Sequence, residues 1–169
     1  MSKKRTSRFG FSVSDLLSAR VCVAVAIACG LSTLSAQPAE APAAKVQRLV
    51  EGSGFANKHP KPNVWVIPAK GPAKGDYDLF VAVSDNIVVI GSVVAKKAQM
   101  PAAPEFYQTL LRSNHDMDYV KVGLDGDGDA FARAEINARF LDAAELKMLI
   151  NQTTAATDEV YTRIKQFLK

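Results

Sequence analysis

Apolar residues recur along this chain at two alternating spacings. Val46, Leu49 and Val50 fall three and one apart, the spacing of one helix face, and Gly52 and Gly54 end that segment. Residues 57–63, with Pro60 and Pro62, read as loop. Three strands are predicted next, at 64–67, 79–83 and 87–94. The third is so continuously apolar that it reads as a central strand covered on both faces. Asp85-Asn86 sits between the last two strands and predicts a two-residue hairpin turn, because both residue types tolerate positive φ.

Pro104 opens a second helix, with Phe106, Tyr107, Leu110 and Leu111 on one face and an end near Asn114. Residues 119–124 alternate, with Val120, Val122 and Leu124 on one side. Residues 130–137 alternate as well, setting Ala132, Ala134 and Ile136 against Arg133, Glu135 and Asn137. The acidic, glycine-containing run Asp125-Gly126-Asp127-Gly128-Asp129 joins them as a turn. Asp142 caps a last helix, with Glu145 completing a capping-box variant. Its stripe is Leu146, Ile150, Thr153, Thr157, Val160, Ile164 and Phe167, apolar at both ends and polar in the middle. Residues 151–157 are poor helix formers and predict a bend. The order α-β-β-β-α-β-β-α gives an α+β, two-layer domain, with a mostly antiparallel sheet and helices grouped on one face.

Charge divides the chain unevenly. The sequence holds 21 Lys and Arg and 17 Asp and Glu, a net charge of +4. Residues 1–36 contain Lys3, Lys4, Arg5, Arg8 and Arg20 against Asp15 alone, so 16 of each sign remain after residue 36. That first segment reads as a signal peptide: a basic start, an apolar run at 21–34, and Ser35 and Ala36 as small residues before a cut at Gln37. The apolar run is shorter than the ~20 residues a membrane span needs. Leu34 is large for its place before the cut, whereas Ala26-Ile27-Ala28-Cys29 resembles a lipoprotein box with Ala26 in place of Leu. Three outcomes stay open: a periplasmic or secreted free protein, a lipoprotein anchored through Cys29, and an uncleaved anchor. Residues 37–44, rich in Ala and Pro, read as linker, and 45–169 as the folded domain.

The electrically balanced domain lacks the cationic excess that drives phosphate binding, which argues against nucleic acid. Both cysteines, Cys22 and Cys29, lie in the leader, so the domain carries neither thiol chemistry nor a disulfide. Asp125, Asp127 and Asp129 are spaced like the first ligands of a calcium loop. Ala130 and Ile136, however, stand where such a loop requires Gly and a bidentate Glu, so a polar turn is the plainer reading. His59 and His115 have no second histidine at metal-ligand spacing. No nucleophile elbow is present, and Pro72 interrupts the only glycine-lysine loop, removing an amide donor. No catalytic residue and no cofactor are expected. Trp65, Phe80, Phe106 and Tyr107 are read mostly as core.

Leu110-Leu111 followed by Asn114, then Val122-Gly123-Leu124-Asp125, the Gly128-Asp129 turn, Arg133-Ala134-Glu135-Ile136, and Leu141-Asp142 opening a helix together resemble a YbjN-type domain. The resemblance covers residues 104–169 by motif and 45–100 by topology. Leu110, Leu111, Asn114, Leu124, Asp125, Gly128 and Asp142 are its structural motif positions. It implies a type III secretion chaperone-like fold, homodimerisation, and binding of protein or peptide segments in a chaperone-like, adaptor or sensory-regulatory role. Asn114 is expected to cap or stitch the helix end. The leader departs from the cytoplasmic setting of secretion chaperones. The alternative function is an extracytoplasmic small-ligand or ion sensor, using the acidic turn or a polar cavity lined by Thr153 and Thr157.

Overall fold

The computed structural model describes residues 40–169. The leader, Cys22, Cys29 and the first residues of the linker lie outside the described residues. Helix α1 spans Pro42–Glu51. Strands β1 (Lys58–Lys61), β2 (Val64–Gly71), β3 (Gly75–Ser84) and β4 (Ile87–Ala95) follow. Helix α2 (Pro104–Ser113), β5 (Lys121–Leu124), β6 (Ala130–Asn137) and α3 (Ala143–Ile164) complete the domain. The six strands form one antiparallel sheet in the order β1-β2-β3-β4-β6-β5. None of the described helices is long and apolar enough to cross a membrane.

The helical layer follows from alternation. Trp65 and Ile67 on β2, Leu79 and Val81 on β3, Val88, Ile90 and Val94 on β4, Val122 on β5 and Ala130, Ala132 and Ala134 on β6 are buried. Those side chains share one face, and α3 crosses it over β4, β6 and β2. The predicted stripe of α3 is its buried face, with Leu146, Thr153, Thr157, Val160 and Ile164 wholly inaccessible. Asp142 Oδ1 accepts from Glu145 N at 2.8 Å and starts the helix.

Several expectations need correction. Residues 58–61 form an edge strand rather than loop, joined to β2 through a two-residue turn in which Asn63 takes φ 62°. Strands β2 and β3 run longer than their apolar cores, and α1 begins at Pro42, inside the stretch read as linker, because proline suits a helix's first turn. β4 is covered on one face only: Val89 and Val93 are half-exposed on the other. No break interrupts the 22 residues of α3. Thr154 and Thr157 hydroxyls donate to the carbonyls of Ile150 and Thr153, at 2.8 and 2.7 Å, and burial of the stripe outweighs poor propensity. Thr153 and Thr157 are therefore packed core and line no open cavity. Trp65 and Phe106 are core; Tyr107 is exposed, and Phe80 lies half-buried on the sheet's other side.

Candidate binding surface

The motif residues serve the fold. Leu110 is buried, while Leu111 (68%) and Leu124 (45%) are exposed. Asn114 joins the end of α2 to the sheet. Its amide Nδ2 donates to Val122 O at 3.0 Å, and its Oδ1 accepts from Val122 N at 2.7 Å. One side chain thereby occupies both outward backbone groups of Val122, in the edge strand β5.

The acidic turn is held by its own carboxylates. Asp125 Oδ1 accepts from the backbone N–H groups of Asp127 (3.0 Å) and Asp129 (2.8 Å), and Gly128 takes φ 83°, which a side chain would disfavour. Asp129 faces away from any shared centre: its Oδ1 accepts from Lys97 N at 2.8 Å and its Oδ2 from Lys96 Nζ at 2.7 Å. Those bonds hold its carboxyl below the usual carboxylate range, with the Lys96 bond the larger cause. Among the described residues no three His, Cys, Asp or Glu side chains converge to hold a metal ion. His115 is exposed in the turn after α2, and His59 stacks on the Trp65 indole with ring centroids 4.9 Å apart.

The sheet face away from the helices is the larger feature, and no motif in the sequence points to it. Register places Val66, Phe80, Gly91, Arg133 and Lys121 in one row across β2, β3, β4, β6 and β5. Val64, Ala82, Val89 and Glu135 form the next row. A methyl group on Gly91 would stand 2.7 Å from Phe80 Cζ, so that ring lies flat over the glycine. Phe131 covers Gly123 in the same way, at 3.1 Å, and Arg133 Cζ sits 4.5 Å from the Phe131 ring centre. Val66, Phe80, Val89, Val93 and Phe131 thus form a half-exposed apolar surface bounded by charges. Glycines in mid-strand were the available signal, since they mark close approach of another group.

At one end of this face β3 and β4 separate. Their register pairs Phe80–Ser84 with Ile87–Gly91, although the strands run on to Gly75 and Ala95. A cleft of about 450 Å³ opens there, lined by Val66, Leu79, Phe80 and Val93, with Lys74 and Asp78 among its polar groups. Above it the β2–β3 turn is fixed to α3. Asp158 Oδ1 accepts from Ala73 N (2.9 Å) and Lys74 N (2.8 Å), and Tyr77 OH donates to Thr154 O at 2.9 Å. Burial, with the Asp158 charge adding to it, pushes the Tyr77 phenol up to about 12.

These features define a class: an antiparallel sheet that buries one face under its helices and leaves the other open. A family model described as "YbjN: Putative bacterial sensory transduction regulator" matches residues 72–166, more than half of the chain, and the chain belongs to that family. The crystal structure of YbjN from E. coli superposes with a TM-score of 0.56 at 14% identity, over 73% of this chain and 93% of that one. A chain of the ExsC-ExsE complex gives 0.53 at 13%, over 72% and 95%. The Yersinia pestis type III secretion chaperone SycH, in complex with a stable fragment of YscM2, gives 0.48 at 11%, over 72% and 98%. Identities this low establish a shared fold. No curated protein matches the chain.

Proposed function

We propose that this chain is a non-enzymatic protein-binding module, chaperone-like or adaptor and regulatory in role, exported by its first 36 residues. The observation that carries the binding reading is the open sheet face, where Val66, Phe80, Val89, Val93 and Phe131 remain half-exposed on an otherwise well-packed domain. Membership of a regulator family and a fold shared with a chain of the ExsC-ExsE complex support it. Both sheet edges are poor docking strands. Asn114 occupies Val122 on β5, and β1 presents Lys58, Pro60 and Lys61, of which proline lacks an N–H. A partner therefore lies across the face.

A photoreactive residue at Val89, compared with one at exposed Lys147 on α3, tests this in the producing cell. Polypeptide adducts at Val89 that disappear in Phe131→Asp, with none at Lys147, are expected. Equal adducts at both positions, or none at Val89, would sink the reading.

Homodimerisation belongs to the same proposal, through Tyr107 and Leu111, exposed one turn apart on α2. Light scattering of Leu111→Asp against the parent chain checks it: a mass unchanged by the substitution rejects that surface. For export, N-terminal sequencing of protein from fractionated cells decides among the three outcomes, and an intact Met1 on cytosolic protein rejects all of them. A second reading, small-ligand sensing, is favoured by one observation, the cleft between β3 and β4.

A further inference from the structure

We propose that the cleft between β3 and β4 binds an amphipathic monocarboxylate, with its apolar tail on the open sheet face and its carboxylate against Lys74. This goes beyond the protein-binding reading and does not depend on it.

Lys74 is fixed in place by its surroundings. Its ammonium donates to Val94 O at 2.7 Å, so a side chain from the β2–β3 turn takes a β4 carbonyl at the place where the β3–β4 ladder has stopped. The same nitrogen lies 5.8 Å from the Tyr77 ring centre and 4.9 Å from that of Tyr161. The lysine is thus held at the cleft wall by one carbonyl and two aromatic faces.

Lys74 also has no carboxylate in contact: among the described residues none lies within 4.0 Å of its Nζ. The nearby Asp158 has its Oδ1 committed to two backbone N–H groups. Lys74 is half-buried, and burial lowers its proton affinity more than the Asp158 charge restores it. A half-buried cation with no carboxylate in contact favours an incoming anion, because attraction grows as the local dielectric falls.

The chemical class follows from the walls. Val66, Phe80 and Val93 offer an apolar floor continuous with the open face, and buried Leu79 closes the cleft from the helical side. One ammonium, without an arginine fork or a nest of amides, suits a single carboxylate better than a phosphate dianion. Lys96, on the rim, is already paired with Asp129. Asp78 also lines the rim; it is exposed, so water screens its repulsion more than it screens the attraction of Lys74. Its charge selects further against dianions.

Calorimetric titration of the full chain with octanoate and, separately, with octanamide tests the proposal, since the two probes share a tail and differ in charge. Octanoate is expected to bind at one site, at least about tenfold more tightly than octanamide, a difference of about 1.4 kcal/mol. Lys74→Gln should abolish that preference and Lys74→Arg retain it. Val93→Asp, a change at a half-exposed position, should abolish octanoate binding with the far-ultraviolet circular dichroism unchanged, and provides the test if the Lys74 variants do not fold. Equal affinity for the two probes, no binding of either, or octanoate binding unaltered in Lys74→Gln or in Val93→Asp would overturn the assignment.

Discussion

Replacing Asn114 isolates the contribution of a single side chain that acts as a piece of β-strand. In Asn114→Ala, Val122 N–H and Val122 O lose partners at 2.7 and 3.0 Å, and Val122 is only 6% exposed, so water reaches these groups poorly. A satisfied hydrogen bond is worth about 0.5–1.5 kcal/mol net, and a buried group left without one costs about 1–3 kcal/mol, so the expected loss is about 2–3 kcal/mol. With a urea m-value of about 1–3 kcal/mol/M, the unfolding midpoint should fall by about 0.7–3 M at constant m. Asn114→Asp sharpens the test. Its carboxylate still accepts from Val122 N–H but faces Val122 O with a second acceptor, whereas the protonated acid supplies a donor there and mimics the amide. The fold would therefore raise the pKa of the introduced acid. By linkage, the stability this group contributes is present below its unfolded pKa of about 3.9 and is lost as pH rises through the folded value. The Asp variant should approach the parent near pH 3 and fall behind it at pH 7. An Ala variant within about 0.5 kcal/mol of the parent, or a gap between Asp variant and parent that does not change with pH, would refute the stitching role.

Four further outcomes follow, three around the β2–β3 turn and one at the acidic turn. Asp158→Ala frees the amides of Ala73 and Lys74 and should cost about 2 kcal/mol by urea denaturation. Gly71→Ala would place a methyl 2.1 Å from Asp158 Oδ1 and should cost about 1–3 kcal/mol alone but less in the Asp158→Ala background, a coupling that a double-mutant cycle measures. In an ultraviolet absorbance titration one of the four tyrosines should ionise late, near 12, and Tyr77→Phe should remove that phase. Because the folded pKa of Tyr77 is raised, its contribution to stability is complete below about pH 10 and is lost as pH climbs toward 12. Asp129 has the opposite sign: its lowered pKa contributes stability above about pH 4, lost as pH falls, so Asp129→Asn should flatten the acid limb of thermal melts.

What the sequence revealed and what it hid follow a physical division between local and distant determinants. Where neighbouring residues decide the conformation, the reading and the structure coincide. Strand β6 occupies Ala130–Asn137 as its alternation predicts, Pro104 opens α2, Asp142 caps α3, and Asp85 takes the positive φ expected of its turn. Where a distant element decides, the pattern was silent. Strand β1, Lys58–Lys61, has no alternation and contains a proline; pairing with β2 makes it a strand, and the Pro62-Asn63 turn was its one local sign. A run such as Ile87–Ala95 is apolar on both sides although only one side meets α3, and composition does not distinguish a covered face from one that carries half-exposed valines. The bonds that shape the candidate site join residues far apart in the chain: Asp158 to Ala73 and Lys74, and Lys74 to Val94. No spacing rule finds such pairs. The same division explains the motif positions. Asn114, Asp125, Gly128 and Asp142 carry recognisable local chemistry because they end helices and close turns, so they identify the scaffold. The face open to a partner is marked instead by Gly91 and Gly123, where an absent side chain admits a ring from the next strand, and that becomes legible only once register brings Phe80 and Phe131 beside them. A face built from absences and long-range register can change its ring and valine content without altering any turn or cap, which leaves the scaffold recognisable while the open face is free to differ.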